Sequence, residues 1–558
     1  MPYVVLHCHD PALRDTLAKQ AKDAGLAQSI PAEYASNPHA LQVGHATSSE
    51  SVAEFARAVS SVGNVVALSP DAGVGRFEPL FRRDANRSGK NLSTARRLPV
   101  PGLATPHFGR TAGYMAEHYA FPPAAGTAAS RAQRLRVPPT IAVISLGGSY
   151  KPADLKAYWK TVMGLGKLPP TPVTIPVDGY AGTFTASTAD EENTLDLEIA
   201  GGTCPAAAAL LFYSAPNTYL GFYHAISAAV SGSTVGSKRY QATVVSISWG
   251  APESSFPTST LQAFDQLLAL AASKGIVVCA ASGDGGSADS EVAGPGAGGR
   301  AALRSDFPSS SPHVVACGGT TLTGAGDGGA ETAWSWNAGR GWGGGGGFSG
   351  FFAQPAFQAA AVAGAPKRSV PDIALNADPL TGWSIQFNGR LYVDAFGGTS
   401  CVAPCVAGLV ARMNLAYPGA SASAPPFLAA LYQAARPGGG GGGKAPCFND
   451  VVAGSNDNVG VPALYSAGKG YDLCTGLGSP DGTKLLAAFT APGFPAATDQ
   501  EKAGTAVASP LVTTQSVATP AARDWRTRRR RRKQRNASTQ THVPTDSGDS
   551  FFSIDLAC

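Results

Sequence analysis

Short apolar runs and amphipathic segments alternate along the middle of the chain. From residue 138 onward, each run of consecutive apolar residues predicts a buried strand, and each segment with apolar residues every three or four positions predicts a helix. The predicted strands are Ile141–Leu146, Ala208–Tyr213, Val244–Trp249, Ile276–Ser282 and His313–Cys317, and the predicted helices are Ala153–Met163, Tyr219–Val230 and Thr258–Ser273. This alternation predicts an α/β fold, a parallel sheet with helices on both faces. Functional groups are then expected at the carboxyl ends of the strands.

Three regions of the chain differ in their pattern. Residues 1–104 are mixed, with a predicted helix at Ser51–Val62 and a strand at Asn64–Leu68, followed by a basic, polar stretch. They are predicted to form a small domain and a linker. Residues 105–490 carry the alternating pattern. Residues 491–558 are polar and contain an arginine run, which predicts a disordered tail.

The charge of the chain is concentrated in that tail. The net charge is +5, but eight lysines and arginines lie between residues 526 and 535. The rest of the chain is therefore slightly acidic and lacks the basic surface of a nucleic-acid-binding protein. Charged residues make up 15% of the chain, against about 25% in a typical protein. A surface with few charges changes little when carboxylates become protonated, so this composition suits an acidic environment. No apolar run reaches 18 residues, so no membrane span is predicted.

The stretch Gly397–Pro404 has the features of a serine nucleophile. Two glycines allow a tight bend, and the residues after Ser400 read as a helix that tolerates Pro404 in its first turn. The hydroxyl of Ser400 would then lie at a helix N-terminus, where the helix dipole stabilises developing negative charge. The alternative is a serine that caps a core helix.

A serine nucleophile needs a base, and none of the nine histidines lies in a catalytic sequence context. Glu192 and Asp196 are four residues apart on the predicted helix Asp190–Ala200 and therefore share one face. Two neighbouring carboxylates repel each other, which raises one pKa and makes a carboxyl group a possible base in acid. The alternative is an acidic, solvated helix face.

Asp284 directly follows the predicted strand Ile276–Ser282. It is therefore expected at the edge of the sheet where active sites form. A protonated carboxyl group there could donate a hydrogen bond to an oxyanion. The alternative is an aspartate that stabilises a turn.

Together with further motifs, these residues resemble the sedolisins, or serine-carboxyl peptidases, and within them the kumamolisin-like branch. The further motifs are Val245–Gly250, Asp306–Pro308, Ala316–Thr320 and Val370–Pro379, and the resemblance covers about residues 138–486. It implies a subtilisin-like fold and an acid-acting endopeptidase that cleaves proteins or peptides through an acyl-enzyme. By resemblance, Ser400 is the nucleophile, Glu192 the base, Asp196 its hydrogen-bond partner and Asp284 the oxyanion group. Ser248, Trp249 and Gly250 would line the substrate cleft.

The resemblance also implies one calcium ion near the C-terminal end of the catalytic domain. Its ligands would be the carboxylates of Asp450 and Asp472 and the backbone carbonyls of Val451, Gly468 and Gly470. Two aspartates and small residues in loops suit a hard cation. The N-terminal segment is implied to inhibit the enzyme until a cut between about Arg97 and Thr105. We expect a monomer in a secreted or acidic lumenal location such as a lysosome or vacuole, although Met1–Asp10 shows no signal peptide.

Three other functions stay open at this point: a tripeptidyl-peptidase of the same family, a histidine-dependent subtilase, and a catalytically silent homologue that acts as a binding protein. One departure from the branch is the absence of a clear extra catalytic glutamate, since the first strand of the sheet offers only Ser145. The loss of this negative charge should ease the ionisation of Glu192. Cys447 and Cys474 could form a disulfide.

Overall fold

The computed structural model describes most of the predicted catalytic region and short parts of the N-terminal region. The described residues are 3–8, 18–19, 21, 27–29, 40–44, 65–68, 77–91, 108–123, 139–288, 305–323, 330–336, 342–416, 427–436, 446–456 and 465–491. The predicted helix Ser51–Val62, the predicted cut between Arg97 and Thr105, and the arginine-rich tail lie outside them.

Six short strands precede the main sheet: β1 (Tyr3–Cys8), β2 (Ala27–Ser29), β3 (Ala40–Gly44), β4 (Val65–Leu68), β5 (Glu78–Pro79) and β6 (Arg82–Arg83). The first four form one antiparallel sheet in the order β2-β3-β1-β4. The next two belong to other sheets, because β5 and β6 each pair with a strand from the catalytic region.

A parallel sheet of seven strands forms the centre of the catalytic region. Its members are β7 (Thr140–Leu146), β8 (Val173–Pro176), β9 (Ala209–Ala215), β12 (Val244–Ile247), β14 (Val277–Ala281), β16 (Val315–Thr323) and β22 (Ile373–Asn376). Their order across the sheet is β8-β9-β7-β12-β14-β16-β22, and the antiparallel strand β17 (Ala330–Ala333) extends the far end of β16.

The remaining strands are short or lie outside this sheet. They are β10 (Ser233–Val235), β11 (Lys238–Tyr240), β13 (Trp249–Pro252), β15 (Asp306–Phe307), β18 (Ser335–Trp336), β19 (Trp342–Gly343), β20 (Gly347–Phe348), β21 (Ser369–Val370), β23 (Trp383–Phe387), β24 (Arg390–Gly397), β25 (Phe448–Asn449) and β26 (Ser479–Pro480). Two of them, β13 and β24, flank the nucleophile region and provide the edges on which β5 and β6 pair.

Eight helices occur in the described part of the chain: α1 (Ala112–His118), α2 (Pro152–Ala157), α3 (Thr188–Thr203), α4 (Tyr219–Ser231), α5 (Thr258–Ser273), α6 (Val402–Ala416), α7 (Phe427–Ala435) and α8 (Gly482–Phe489). A π-helical turn, Tyr158–Val162, continues α2 and completes the predicted helix Ala153–Met163. The start of α3 is fixed by a capping box between Ser187 and Asp190.

Successive side chains of the central strands enter two apolar layers on opposite faces of the sheet. On β7, Ile141 and Val143 pack in the layer that contains α3 and α6, whereas Ala142 and Ile144 pack in the layer that contains α4 and α5. The subtilisin-like α/β architecture predicted from the sequence is therefore confirmed. Both faces are buried, which explains why the strands read as continuous apolar runs.

The stretch predicted to carry the nucleophile leads into an apolar helix of the core. Gly398 has a φ of +91°, a 3₁₀ turn spans Thr399–Cys401, and α6 follows with Pro404 in its first turn. The stretch Thr399–Ala416 is long and apolar enough to cross a membrane, but 89% of it is buried inside the protein. It is a core helix of the α/β fold.

The cysteines of the described region are free thiols. Cys401 and Cys405 are buried in the core, as expected from their spacing of one helical turn. Cys447 and Cys474 are also free, so the disulfide considered between them is not formed in this structure.

Candidate active site

The hydroxyl of Ser400 lies beside the carboxyl group of Glu192. Ser400 Oγ is 3.0 Å from Glu192 Oε2 and 3.2 Å from the carbonyl oxygen of Ser248. The side chains of Ser400 and Glu192 are both fully buried. The contact joins the start of α6 to the second turn of α3, which are 208 residues apart in sequence. A serine hydroxyl can therefore pass its proton directly to a carboxylate at this position.

Asp196 lies one turn further along α3 and is held by Ser248. Ser248 Oγ donates to Asp196 Oδ1 over 2.6 Å. Asp196 Oδ2 and Glu192 Oε1 are both buried and have no hydrogen-bond partner within the described residues, so the hydrogen bond between Asp196 and Glu192 that the resemblance implies stays a prediction. Burial and the charge of Asp196 raise the pKa of Glu192 well above its usual range, and burial raises the pKa of Asp196. Both carboxyl groups are thereby made stronger bases than free carboxylates.

Asp284 follows β14 and approaches the nucleophile turn from the opposite side. Its Oδ1 accepts hydrogen bonds from the backbone N–H of Thr399 (2.8 Å) and from the Thr399 hydroxyl (3.0 Å). Its Oδ2 is buried and has no hydrogen-bond partner within the described part of the chain, while Arg82 Nε lies 3.9 Å away. Burial raises the pKa of Asp284 to about 6 against the lowering effects of Arg82 and Thr399.

A segment from the N-terminal region, Phe77–Arg83, crosses this site as an extended chain. On one side β5 pairs antiparallel with β13, so that Pro79 lies opposite Trp249 and Glu78 opposite Gly250. The N–H of Leu80 donates to the carbonyl oxygen of Ser248 over 3.0 Å. The predicted cleft-lining residues Ser248, Trp249 and Gly250 therefore pair with a peptide backbone, as a substrate strand would require.

The carbonyl group of Leu80 lies at the nucleophile. The backbone N–H of Ser400 donates to Leu80 O over 2.7 Å. A Cβ atom on Gly398 would lie 2.6 Å from Leu80 O, 2.5 Å from Asp284 Oδ2 and 2.4 Å from Phe81 Cα. Glycine is needed at 398 because its φ is positive and because three groups approach it this closely. The Leu80–Phe81 peptide and Asp284 Oδ2 thus both approach Gly398, two residues before Ser400.

Beyond Phe81 the segment continues along β24. Arg82 lies opposite Gly397 and Arg83 opposite Phe396 in an antiparallel pair. The side chains of the two arginines contact different groups, as the alternation of a strand requires. Arg82 lies over the ring of Trp342, and Arg83 lies near Glu191. The peptide is therefore held on both sides of the Leu80–Phe81 bond.

No histidine bonds to Ser400 in the described region. His224 Nδ1 bonds to the carboxylate of Asp178 at 2.8–2.9 Å, and His313 pairs with Asp265 at 3.8 Å. Ser145, which stands where the kumamolisin-like branch would place an extra glutamate, donates to the carbonyl oxygen of Gly147. The groups that reach the nucleophile are therefore carboxyl groups and backbone.

Sequence reasoning missed two features of this site. The hydroxyl of Ser248 positions Asp196, although only its place in the cleft was predicted. The segment Phe77–Arg83 falls in the region predicted to form a small domain and a linker, and nothing in its pattern indicates that it pairs with β13 and β24. A serine at the carboxyl end of β12 was the only available signal for the first feature.

A hydrogen bond joins Asp450 to the loop 468–472, and both carry predicted calcium ligands. The N–H of Gly470 donates to Asp450 Oδ2 (2.9 Å), and the N–H of Gly468 donates to Asp472 Oδ2 (3.1 Å). Val451 directly follows Asp450 in the chain. The described residues contain no group of three or more His, Cys, Asp or Glu side chains that could bind a metal, so an ion here would also need backbone carbonyl oxygens. Two carboxylates and nearby carbonyls are a donor set that fits calcium.

Comparison with known proteins connects this site to a family. The model of the subtilase family matches residues 179–460, about half of the chain. The chain belongs to the subtilase family. Within the family it is a sedolisin-type, kumamolisin-like protein, as its sequence motifs predicted.

Relatives of this subtilase include kumamolisin from Bacillus sp. (strain MN-32), with 38% identity over 359 residues that cover 62% of this chain and 59% of the relative. Sedolisin from Pseudomonas sp. (strain 101) is 31% identical over 367 residues, 64% of this chain and 58% of the relative. The chain thus spans about three fifths of the length of these relatives. The solved structure of Pseudomonas sedolisin, a serine-carboxyl proteinase, aligns with a TM-score of 0.54 and 28% identity over 68% of this chain and 97% of that chain.

Proposed function

We propose that this subtilase is an acid-acting serine-carboxyl endopeptidase that hydrolyses peptide bonds through an acyl-enzyme. The observation that carries the proposal is the placement of the Leu80 carbonyl on the N–H of Ser400 while Ser400 Oγ contacts Glu192. A peptide carbonyl, a nucleophile and a base thus lie together in one buried cleft. This is the set of groups that acyl transfer requires.

The reaction begins when Ser400 Oγ attacks the carbonyl carbon and its proton passes to Glu192. As the tetrahedral intermediate collapses, Glu192 returns the proton to the leaving amine, and the peptide C–N bond breaks. Glu192 then takes a proton from a water molecule as that water attacks the ester carbonyl carbon, and it returns the proton to Ser400 Oγ as the ester C–O bond breaks and the carboxylic acid product leaves. Asp196, fixed by Ser248, keeps a second carboxyl group beside Glu192 and raises the pKa of Glu192.

Asp284 and the N–H of Ser400 stabilise the negative oxygen of the intermediate. Asp284 can do so only in its neutral form, as a hydrogen-bond donor, because a carboxylate would repel the oxyanion. Its free Oδ2 is the oxygen that would carry this proton. A pKa of about 6 keeps this group neutral below that value, so activity is expected to fall as the pH rises through it. On the acid side, the raised pKa of Glu192 limits the fraction of enzyme that carries the base form. Such an optimum suits a secreted or acidic lumenal enzyme.

The segment Phe77–Arg83 supports two finer parts of the proposal. It fills the cleft and would block other substrates, so we assign it as an intramolecular inhibitor. Its Leu80–Phe81 bond would be cut on activation, in addition to the cut predicted between about Arg97 and Thr105. The segment also extends four residues, to Phe77, on the amino side of the Leu80–Phe81 bond. A tripeptidyl-peptidase accepts only three residues there, so the open course of the chain favours an endopeptidase.

The loop at Asp450 and Asp472 is proposed to hold one calcium ion. Its ligands would be the two carboxylates and the carbonyl oxygens of Val451, Gly468 and Gly470, with water completing the shell. A calcium ion there would supply charge neutralisation and would stabilise the loop. It takes no part in the proton transfers at Ser400.

The experiment that tests the proposal compares Ser400→Ala and Glu192→Gln with the wild type at about pH 4, near a carboxyl pKa. Glu198→Gln is the matched control, because Glu198 is a buried glutamate of the same helix that bonds to the N–H of Gln386 instead. We expect both site variants to lose at least about 1,000-fold in the hydrolysis of a denatured protein. They should also leave the Leu80–Phe81 bond intact in mass spectra, whereas Glu198→Gln should cut it. Equal cleavage by all variants would refute the mechanism, and an inactive wild type would favour a binding protein.

A further inference from the structure

The peptide in the cleft identifies positions on the leaving-group side of the site. If Leu80–Phe81 is the bond that is cut, Phe81, Arg82 and Arg83 are the first, second and third residues after it. The antiparallel pairing of Arg82 with Gly397 and of Arg83 with Phe396 fixes this register. Main-chain pairing does not depend on side chains, so other extended peptides on β24 would adopt the same register. The inference below rests on the proposed function.

The side chain of the third residue meets a negative and aromatic surface. Arg83 Nη1 lies 3.3 Å from Glu191 Oε1. The guanidinium group also lies over the rings of Tyr392, 5.3 Å from the centroid, and Phe396, 6.0 Å from the centroid. Carboxylates and aromatic faces both attract cations. The side chain of Arg83 is 38% exposed, so this subsite opens to solvent and can accommodate a long side chain.

Glu191 is adjacent in sequence to Glu192 but faces a different direction. Successive residues of a helix point about 100° apart, so Glu192 reaches Ser400 while Glu191 reaches the rim of the cleft. Only 13% of the Glu191 side chain is exposed, and Arg83 is its ion-pair partner within the described part of the chain. Burial raises the pKa of Glu191, and the charge of Arg83 lowers it. When the N-terminal segment leaves, Glu191 stays beside the path of the substrate, where a cationic side chain in place of Arg83 would again favour its charged form.

Arg82, the second residue after the proposed scissile bond, lies in different surroundings from Arg83. Its side chain lies on the opposite side of the strand, over Trp342, and its Nε is 3.9 Å from Asp284 Oδ2. A cation there lowers the pKa of the group that must stay neutral for catalysis. A cation at the third position is remote from that group and meets Glu191 instead.

We propose that Glu191, Tyr392 and Phe396 form an S3′ subsite that selects peptides with arginine or lysine at the third position after the scissile bond. Glu191 is a specificity residue and takes no part in the proton transfers. The preference should therefore appear mainly in KM, since the interaction is the same in the bound substrate and in the transition state.

The test uses acid-processed enzyme whose N-terminus has been sequenced and three quenched peptides with the sequence Phe-Glu-Pro-Leu-Phe-Arg-Xaa-Asp, where Xaa is Arg, Gln or Glu. For the wild type we expect kcat/KM to be at least about 10-fold higher with Arg than with Glu, an effect of about 1.4 kcal/mol. Glu191→Gln should lose most of this preference, and Glu191→Arg should reverse it. The matched control is Glu117→Gln, at an exposed glutamate on α1, which should keep the wild-type preference.

The outcomes separate this inference from the proposed function. Cleavage of all three peptides at equal rates by the wild type would overturn the S3′ subsite while leaving the peptidase intact. Cleavage of none of them would contradict the proposed function itself. The three peptides on wild-type enzyme give this answer even if a variant fails to fold. In the full chain, Arg83→Glu should slow self-cleavage, and the pair Arg83→Glu with Glu191→Arg should restore it.

Discussion

At the scale of single residues, Asp284 is subject to opposing influences. Burial disfavours its charged form, whereas Arg82 and the donors of Thr399 favour it, and the resulting pKa is about 6. Arg82 belongs to the segment Phe77–Arg83, so the proposed inhibitor itself favours the carboxylate form of Asp284, which could not stabilise an oxyanion. The contact between Arg82 and Asp284 therefore makes the pH dependence of the proposed reaction depend on whether the segment Phe77–Arg83 is in the cleft.

Replacing Arg82 by Gln should move self-cleavage to higher pH. Without the guanidinium group the carboxylate of Asp284 is less stable, so the pKa of Asp284 rises and the neutral donor persists further toward neutral pH. The measurement is the rate of Leu80–Phe81 cleavage as a function of pH. The pH at which this rate falls on the alkaline side should be higher in the variant than in the wild type.

The control for this prediction is Arg83→Gln, one residue further along the segment. Its guanidinium group pairs with Glu191 and not with Asp284. That variant should slow cleavage without moving the alkaline side of the profile. A profile that stays fixed or moves to lower pH in Arg82→Gln would show that Asp284 does not control it.

At the scale of secondary structure, the segment Phe77–Arg83 is held by strand pairing and by the buried side chain of Phe77. Phe77 is buried among the rings of Tyr219, Phe222 and Phe256, with centroid distances of 4.7–5.5 Å. Asn217 accepts from the N–H of Phe77 and donates to its carbonyl oxygen. A two-residue strand such as β5 is weak alone, so the contacts of Phe77 help to keep β5 in register with β13.

Replacing Phe77 by Ala should release the segment from the cleft. The loss of a buried phenylalanine side chain costs about 3–5 kcal/mol. In a Ser400→Ala background, which prevents cutting, hydrogen exchange at the N–H of Leu80 should speed up by at least about 10-fold, because local opening becomes more favourable. Val235→Ala, at an exposed hydrophobic position, should leave this exchange rate unchanged. Unaltered exchange in Phe77→Ala would show that other contacts hold the segment.

At the scale of the whole molecule, hydrogen bonds connect the proposed calcium-binding region near Asp472 to the parallel sheet. The Tyr471 hydroxyl donates to the Pro371 carbonyl (2.9 Å), and the N–H of Leu477 donates to the Asp372 carbonyl (2.8 Å). Pro371 and Asp372 immediately precede β22. The carboxylate of Asp372 is itself bound by the buried guanidinium group of Arg368 at 2.6 Å. Ordering of the loop should therefore stabilise the catalytic domain and not the loop alone.

Calcium should raise the thermal stability of the protein. A ligand at 100 times its Kd contributes about 2.7 kcal/mol, which corresponds to a rise of roughly 3 °C in Tm for a domain of this size. Chelation should reverse the rise, and the pair Asp450→Asn with Asp472→Asn should abolish the response. Asp265→Asn, far from the loop in sequence, should respond as the wild type does. A Tm independent of calcium in the wild type would argue against the site.

The sequence by itself determined most of the central strands and helices and the residues proposed to react. Apolar runs such as Ile141–Leu146 became buried strands because both faces of a parallel sheet are covered. The stretch Gly397–Pro404 specified its own turn, since Gly398 needs a positive φ and Pro404 fits a first helical turn. Glu192 and Asp196 were bound to share a face by helical spacing. These features depend on local backbone geometry, which a sequence encodes within a few residues.

Only the tertiary structure decided what these groups touch. The partner of Asp196 is Ser248, 52 residues away, and the segment at Leu80 reaches Ser400 across 320 positions of sequence. The strand pairing of Phe77–Arg83 uses main-chain hydrogen bonds, which almost any residues can form and which therefore leave no pattern in the sequence. The burial that raises the pKa of Glu192 and Asp284 likewise comes from elements that are brought together only when the whole core packs.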